Sequence, residues 1–204
     1  MKTALVYDVR TPEARETAIW LKAHGYQVIE KTDEDMNELK KMKPEQLLLD
    51  MVVIKVSTDY HGADGPVGTE HDYYSMADFV SRKINSVREL IEACIPFLQE
   101  GQGKRLAILT EPCSSISCCN DNDAFAKHMI LAGINMLSKL FFNALRPKGF
   151  TMRGYIIDPQ CNDGGICAGE YICMNFCFDS TQPFVHSDEN RFVMRDRFFR
   201  EQPW

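Results

Sequence analysis

The stretch from Gly103 to Pro159 constrains the fold most. It opens with GKRLAIL, an apolar strand, and passes through a Ser- and Cys-rich loop. It continues as a long amphipathic helix containing LAGINMLSKLFFNAL. The basic turn Arg146-Pro147-Lys148-Gly149 then leads into a second strand, Thr151 to Ile157. Strands that alternate with helices belong to a parallel sheet, because a parallel pair needs a long crossover between its members.

The same unit recurs upstream. Lys2 to Tyr7 reads as a buried strand, with Thr11 as N-cap and Pro12 at the first helical position. Ala14, Ala18, Ile19, Trp20 and Leu21 give the helix an apolar face, and Gly25 stops it before the strand Tyr26 to Glu30. Asp33 to Lys43 is polar and predicts a short surface helix ended by Pro44. Leu47 to Val56 (LLLDMVVIKV) is almost continuously apolar, as a central strand covered on both faces must be. Ser57 to Glu70 holds Gly62, Gly65, Pro66 and Gly68 and predicts a mobile surface loop. Helices follow over about 73–99, 123–145 and 168–178, with strands at 106–109 and 191–194. The expected fold is α/β: a single domain over 1–204, Rossmann-like and doubly wound, with three α/β/α layers and a mostly parallel sheet.

Composition narrows the function classes. The chain has 204 residues, 45% hydrophobic and 25% charged, which suits one domain with a sizeable core. A net charge of −6 with no basic run argues against nucleic acid as a partner. The apolar run before Asp8 is too short for a signal peptide. No segment approaches the roughly 18 uninterrupted apolar residues of a membrane helix, so a cytoplasmic location is expected. On that expectation the eight cysteines are reduced thiols.

Five pieces carry a family resemblance. TALV followed by a turn and a helix ending AHGYQVI is similar to the opening unit of the short-chain dehydrogenase/reductases. DMVVI and GKRLAIL resemble their fourth and fifth strands. LAGINMLSKLFFNALRPKGF resembles their sixth helix, and GEYICMNFCFDS their late helix. Too few residues separate Glu30 from Leu47 for the family's third strand and its helix, so the sheet is expected to be trimmed at that edge.

The resemblance implies NAD(P) chemistry, and the residues depart from it. The family's Gly-x-x-x-Gly-x-Gly turn lets the backbone approach the pyrophosphate. Asp8, Pro12 and Ala14 align with those glycines. Asp8 and Glu13 bring negative charge to the helix start, offset in part by Arg10. The family's Asn-Asn-Ala-Gly at the fourth strand's exit is here Ile54-Lys55-Val56-Ser57. Lys55 and Ser57 are pocket candidates, with a solvated strand-end lysine as the plainer reading. The family acid/base is a Tyr with Lys four residues on. None of the seven tyrosines has that partner; Lys127 aligns with the Tyr and Leu131 with the Lys. The catalytic Ser position falls near Glu111 to Ser114. Asn85 is a candidate for the family's structural Asn, or a helix-surface amide.

Other constellations stay open. Cys113, Cys118, Cys119, Cys161 and Cys167 lack the close pairs of structural zinc sites, and Cys173 and Cys177, one turn apart on one helix face, read as small buried hydrophobes of a core helix, so no metal is expected. Cys118 and Cys119 have a redox alternative. His128 beside Lys127 is the one place for substitute acid/base chemistry. The 57–72 loop carries Asp59, His61, Asp64, Glu70, His71 and Asp72 where doubly wound folds bind ligands. The combined expectation is a catalytically degenerate member with a binding or assembly role and no cofactor. Its partner would be a second copy, met through helices 73–99 and 123–145, or an active relative. The alternatives are an active NAD(P)-dependent oxidoreductase with a displaced site, and a cysteine-based redox or metal protein.

Overall fold

The computed structural model describes residues 2–60, 65–70, 72–157, 167–176 and 190–203. The elements run in the order β1 (Lys2–Tyr7), α1 (Pro12–Ala23), β2 (Tyr26–Lys31), α2 (Met36–Lys41), β3 (Met51–Lys55), α3 (Tyr73–Glu100), β4 (Arg105–Thr110), α4 (Phe125–Leu145), β5 (Thr151–Ile156), α5 (Ala168–Phe176), β6 (Val193–Asp196) and β7 (Glu201–Gln202). They form one seven-stranded sheet in the order β2-β1-β3-β4-β5-β6-β7. Every pairing is parallel except the terminal β6–β7 hairpin. The chain leaves β1 first to one side and then to the other, the doubly wound arrangement. No described strand lies beyond β2, so the sheet is trimmed at that edge, as the short interval before Leu47 predicts.

Alternation along the strands divides the core. Leu5, Val52, Ile54, Leu106, Ile108 and Met152 point to the layer holding α3 and α4. Ala4, Val6, Val53, Ala107, Leu109 and Tyr155 point to the layer holding α1 and α5. Gly169 lets α5 approach α1 closely; a Cβ there would lie 2.8 Å from the Glu16 carbonyl oxygen. On the opposite layer a Cβ on Gly133 would lie 2.5 Å from Ile84 Cδ1, at the α3–α4 contact.

Several boundaries differ from the expectation. The apolar run from Leu47 is strand only from Met51, because Pro44–Gln46 forms a 3-10 turn. Leu49 instead joins the α3-side core, and its N–H donates to Phe97 O at 3.2 Å. Ile19 is exposed; Thr17 takes its place on the buried face of α1. Asp33–Asp35 is a separate 3-10 turn ahead of α2, closed by the Asp35 carboxylate on the Thr32 N–H. β7 was not expected, being two polar residues long. Over Phe125–Lys148 the mean hydropathy reaches 1.2, which by length and composition alone suffices to cross a membrane. The expectation that no segment approaches this is corrected to that extent. The inner face of α4, with Ile130, Ile134, Phe142 and Leu145, is packed in the core.

Candidate functional site

The C-terminal ends of β1, β3 and β4 meet the starts of α1 and α4, where a doubly wound sheet opens its crevice. At the β1 exit Asp8 is buried and has φ +62°, a left-handed conformation. The turn has thus kept a glycine-like backbone without the glycine; Asp tolerates this region better than most residues. The carboxylate of Asp8 accepts from Arg10 Nε at 2.6 Å and from the Ser57 N–H, on the β3 exit, at 3.3 Å. Thr11 does not cap α1 with its side chain. Its hydroxyl and its N–H both donate to Asp8 O. Pro12 lies exposed on the first turn of α1, and Ala14 is buried beneath it.

Arg10 also donates to Asp33 Oδ2 at 2.8 Å, and the Tyr7 hydroxyl donates to Asp33 Oδ1. Burial raises the Asp33 carboxyl, but the Tyr7 and Arg10 hydrogen bonds outweigh it and hold the group below the usual carboxylate range. Burial, reinforced by Asp33, pushes the Tyr7 phenol far up. Asp33 and Tyr7 were not singled out from the sequence. Asp33 stands just past β2, where a dinucleotide fold commonly holds its ribose-binding acid, and that offset was the available signal.

The second cluster sits one strand over. Lys55, at the end of β3, is buried, so the solvated strand-end reading does not hold. Its Nζ donates to Glu111 Oε1 at 2.7 Å. Lys127, in the first turn of α4, meets Glu111 Oε2 at 2.6 Å. Burial raises the Glu111 carboxyl, and the two lysines more than reverse that, leaving it low. Burial lowers Lys127, and Glu111 more than reverses that, leaving it high. Glu111 and Lys127 are therefore both ionised near neutrality. Burial keeps the Cys113 thiol raised despite nearby Lys127, which does not favour a thiolate nucleophile there.

Ser114 is buried just after β4; its carbonyl accepts from Asn135 Nδ2 of α4 at 3.2 Å. Asn135 braces that loop and was not foreseen. His128 Nδ1 lies 2.9 Å from Ala124 O, and its Nε2 lies 3.9 Å from Asp121 Oδ2. Asn85 is not in the crevice. It is exposed on α3, bonded to Ser81 and Arg88 on the same helix surface. Its surface-amide reading stands and its candidacy as a site residue does not.

From the 57–72 loop, Asp59 accepts from Ser57 Oγ and Asp72 caps α3 through the Ser75 N–H. His61, Asp64 and His71 lie outside the described residues, as do Cys161 and Cys177. Cys94, Cys113, Cys118, Cys119, Cys167 and Cys173 are free thiols. Among the described residues no group of three or more His, Cys, Asp or Glu is placed to hold a metal.

No family model matches the sequence, and no curated protein is a significant sequence match. Solved structures do match. The structure described as the carbonyl reductase Sniffer of Caenorhabditis elegans superposes with a TM-score of 0.75 at 12% identity, over 99% of this chain and 98% of that one. A short-chain dehydrogenase/reductase from Burkholderia multivorans with bound NADP gives 0.74 at 12% identity, over 100% and 99%. The Sniffer carbonyl reductase of D. melanogaster gives 0.71 at 12% identity, with both chains fully covered. With its doubly wound order and these superpositions, the chain has the fold of the short-chain dehydrogenase/reductases.

Proposed function

We propose that this chain is a short-chain dehydrogenase/reductase-like scaffold that does not use a nicotinamide cofactor and serves a binding or assembly role. One observation carries the reading: the Asp8 carboxylate lies inside the first turn, bonded to Arg10 and to the Ser57 N–H. These are donors that a bound phosphate would otherwise attract, and a pyrophosphate there would face a buried negative charge. NAD(P) therefore fits these residues poorly. At the second cluster, Lys127 and Lys55 are both engaged by Glu111, where the family resemblance calls for a Tyr–Lys acid/base pair.

The assembly part rests on the outer face of α4. Met129, Met136 and Leu140 are 47%, 62% and 58% exposed on one side of that helix. Spacings of four and seven residues place them in a stripe suited to another helix. A second copy of this chain is the partner proposed, with an active relative as the other arrangement.

Fluorescence and thermal-shift titration with NAD(H) and NADP(H) tests the first part; the expected result is no binding up to millimolar concentration. Clear micromolar binding would favour the second reading, an oxidoreductase with a displaced site. That reading draws on the Lys55–Glu111–Lys127 cluster and on neighbours solved with NADP or NAD. Light scattering on the wild type and Met136→Lys tests the second part. The expected outcome is a dimer that the substitution dissociates, and a monomeric wild type would remove the assembly role.

A further inference from the structure

A cavity of about 420 Å³ lies between α2, the turn after it and the second half of α3. We propose that it binds a small uncharged molecule with an apolar body and one hydrogen-bond donor, the donor received by the backbone carbonyl of Glu92. The cavity stands away from the crevice. α3 runs back along the sheet from the crevice end, so that Phe97 O meets the Leu49 N–H just ahead of β3. The inference is therefore independent of whether a dinucleotide binds at the first turn.

The body of the ligand is set by an apolar lining. Leu39 and Phe97 are buried, and Met42, Pro44, Ala93 and Pro96 are half-buried beside them. The walls are ordered before any ligand arrives. Asp35 closes the turn ahead of α2 on the Thr32 N–H, and Gln46 Oε1 accepts from the Lys43 N–H at 2.7 Å in the turn after it. Lys40 Nζ ties α2 to α3 through Glu89 Oε2 at 2.6 Å. Such preorganisation lowers the ordering cost of binding.

The donor is selected by the rim. Lys40 is paired with Glu89; Arg88 meets Glu92 Oε2 at 2.7 Å and Glu89 Oε1 at 3.7 Å. Two cations against two carboxylates leave no net sign, which favours neither an anion nor an amine. Both cations are already engaged by those carboxylates. Acceptors remain, because a carboxylate oxygen accepts more than one hydrogen bond. Pro96 adds another. It sits inside α3 and carries no N–H, so the Glu92 carbonyl one turn earlier lacks its i+4 donor. Glu92 and Pro96 both line the cavity. An apolar lining with acceptors and no spare charge fits an alcohol, a phenol or an N–H heterocycle. The volume falls within the roughly 300–1,000 Å³ of small-ligand sites, room for a ring and a short chain.

Calorimetry on the full chain with four probes of one shape tests this: 4-butylphenol, 4-butylanisole, 4-butylbenzoate and 4-butylbenzylamine. The phenol is expected to bind, and the anisole, whose donor is methylated, to bind about fivefold more weakly, the worth of one neutral hydrogen bond. Pro96→Ala returns an N–H to the Glu92 carbonyl and favours the helix. It is expected to weaken the phenol by about the same factor and to leave the anisole unchanged. Ala93→Leu fills the cavity and should abolish binding of both, with circular dichroism confirming the fold of each variant. Absence of phenol binding, equal binding of phenol and anisole, or tighter binding of the benzoate or the amine would each overturn the proposal. So would phenol binding unchanged in Pro96→Ala or retained in a folded Ala93→Leu.

Discussion

The two ends of the crevice share one sheet edge and differ in what their charges do. At the β1–β3 end, carboxylates point inward: Asp8 and Asp33 hold Arg10, and Glu111 holds Lys55 and Lys127. At the β5–β7 end the carboxylate of Asp196 serves the turn itself, accepting from the Phe198 and Arg200 N–H groups and pairing with the Arg200 guanidinium. The backbone architecture is continuous across both. What separates them is which side chain satisfies the groups that a strand end exposes. The acid inside the β1 turn closes that site against an anion; the acid at the β6–β7 turn is spent on holding the turn together.

The largest expected effect breaks the closed end. Glu111→Ala leaves Lys55 buried without its partner, and removing one member of a buried pair costs about 3–5 kcal/mol. Urea unfolding should report that loss. A double variant, Lys55→Met with Glu111→Leu, should recover most of it, and failure to recover would mean that the cluster does more than neutralise itself.

The same cluster sets a pH window. The Glu111 carboxyl is depressed in the folded state, so its contribution is present above the unfolded carboxylate value of about 4.3 and is lost as pH falls through the folded value. Lys127 is raised, so its contribution is present below about 10.4 and is lost as pH rises through the folded value. Stability measured against pH should therefore fall on both sides of a broad plateau. In Glu111→Gln both flanks should flatten, and wild-type flanks in that variant would remove the cluster as their cause.

A smaller change should sharpen the contrast in charge. Asp8→Asn keeps a residue that tolerates φ > 0 and removes the charge. Arg10 is half exposed, so the stability cost should be about 1 kcal/mol. Weak NADP-dependent thermal stabilisation, absent in the wild type, should appear. If none appears, the turn is closed by shape rather than by charge. Smallest of all, Asn85→Ala should shift stability by less than about 0.5 kcal/mol, as is usual for an exposed site. A larger loss would mean that α3 presents this amide to something.

The alternating strands and helices were legible because each depends on local periodicity. Val52 and Ile54 alternate with Val53 between two helical layers, and the near-continuous run MVVI announces burial on both faces. Leu47 to Leu49 was misread as strand because a buried apolar residue looks the same in a strand and in a segment packed under α3. The site was legible only in part. Asp8 and Lys127 were located by alignment with a pattern they do not satisfy. That Asp8 would reach Ser57, 49 positions away, could not be read from order along the chain. Nor could the pairing of Lys55 with Glu111, 56 positions apart, which converts an apparent surface lysine into a buried ion.

By itself the sequence determined the layers, the parallel sheet and its trimmed edge, because apolar period, Pro and Gly act within a few residues of themselves. It also determined that the glycine-rich turn and the Tyr-x-x-x-Lys pair are absent. Tertiary structure alone decided what replaced them. Burial and charge pairing depend on groups brought together from distant strands, so whether a lysine is solvated or a carboxylate blocks a turn follows from the packed sheet.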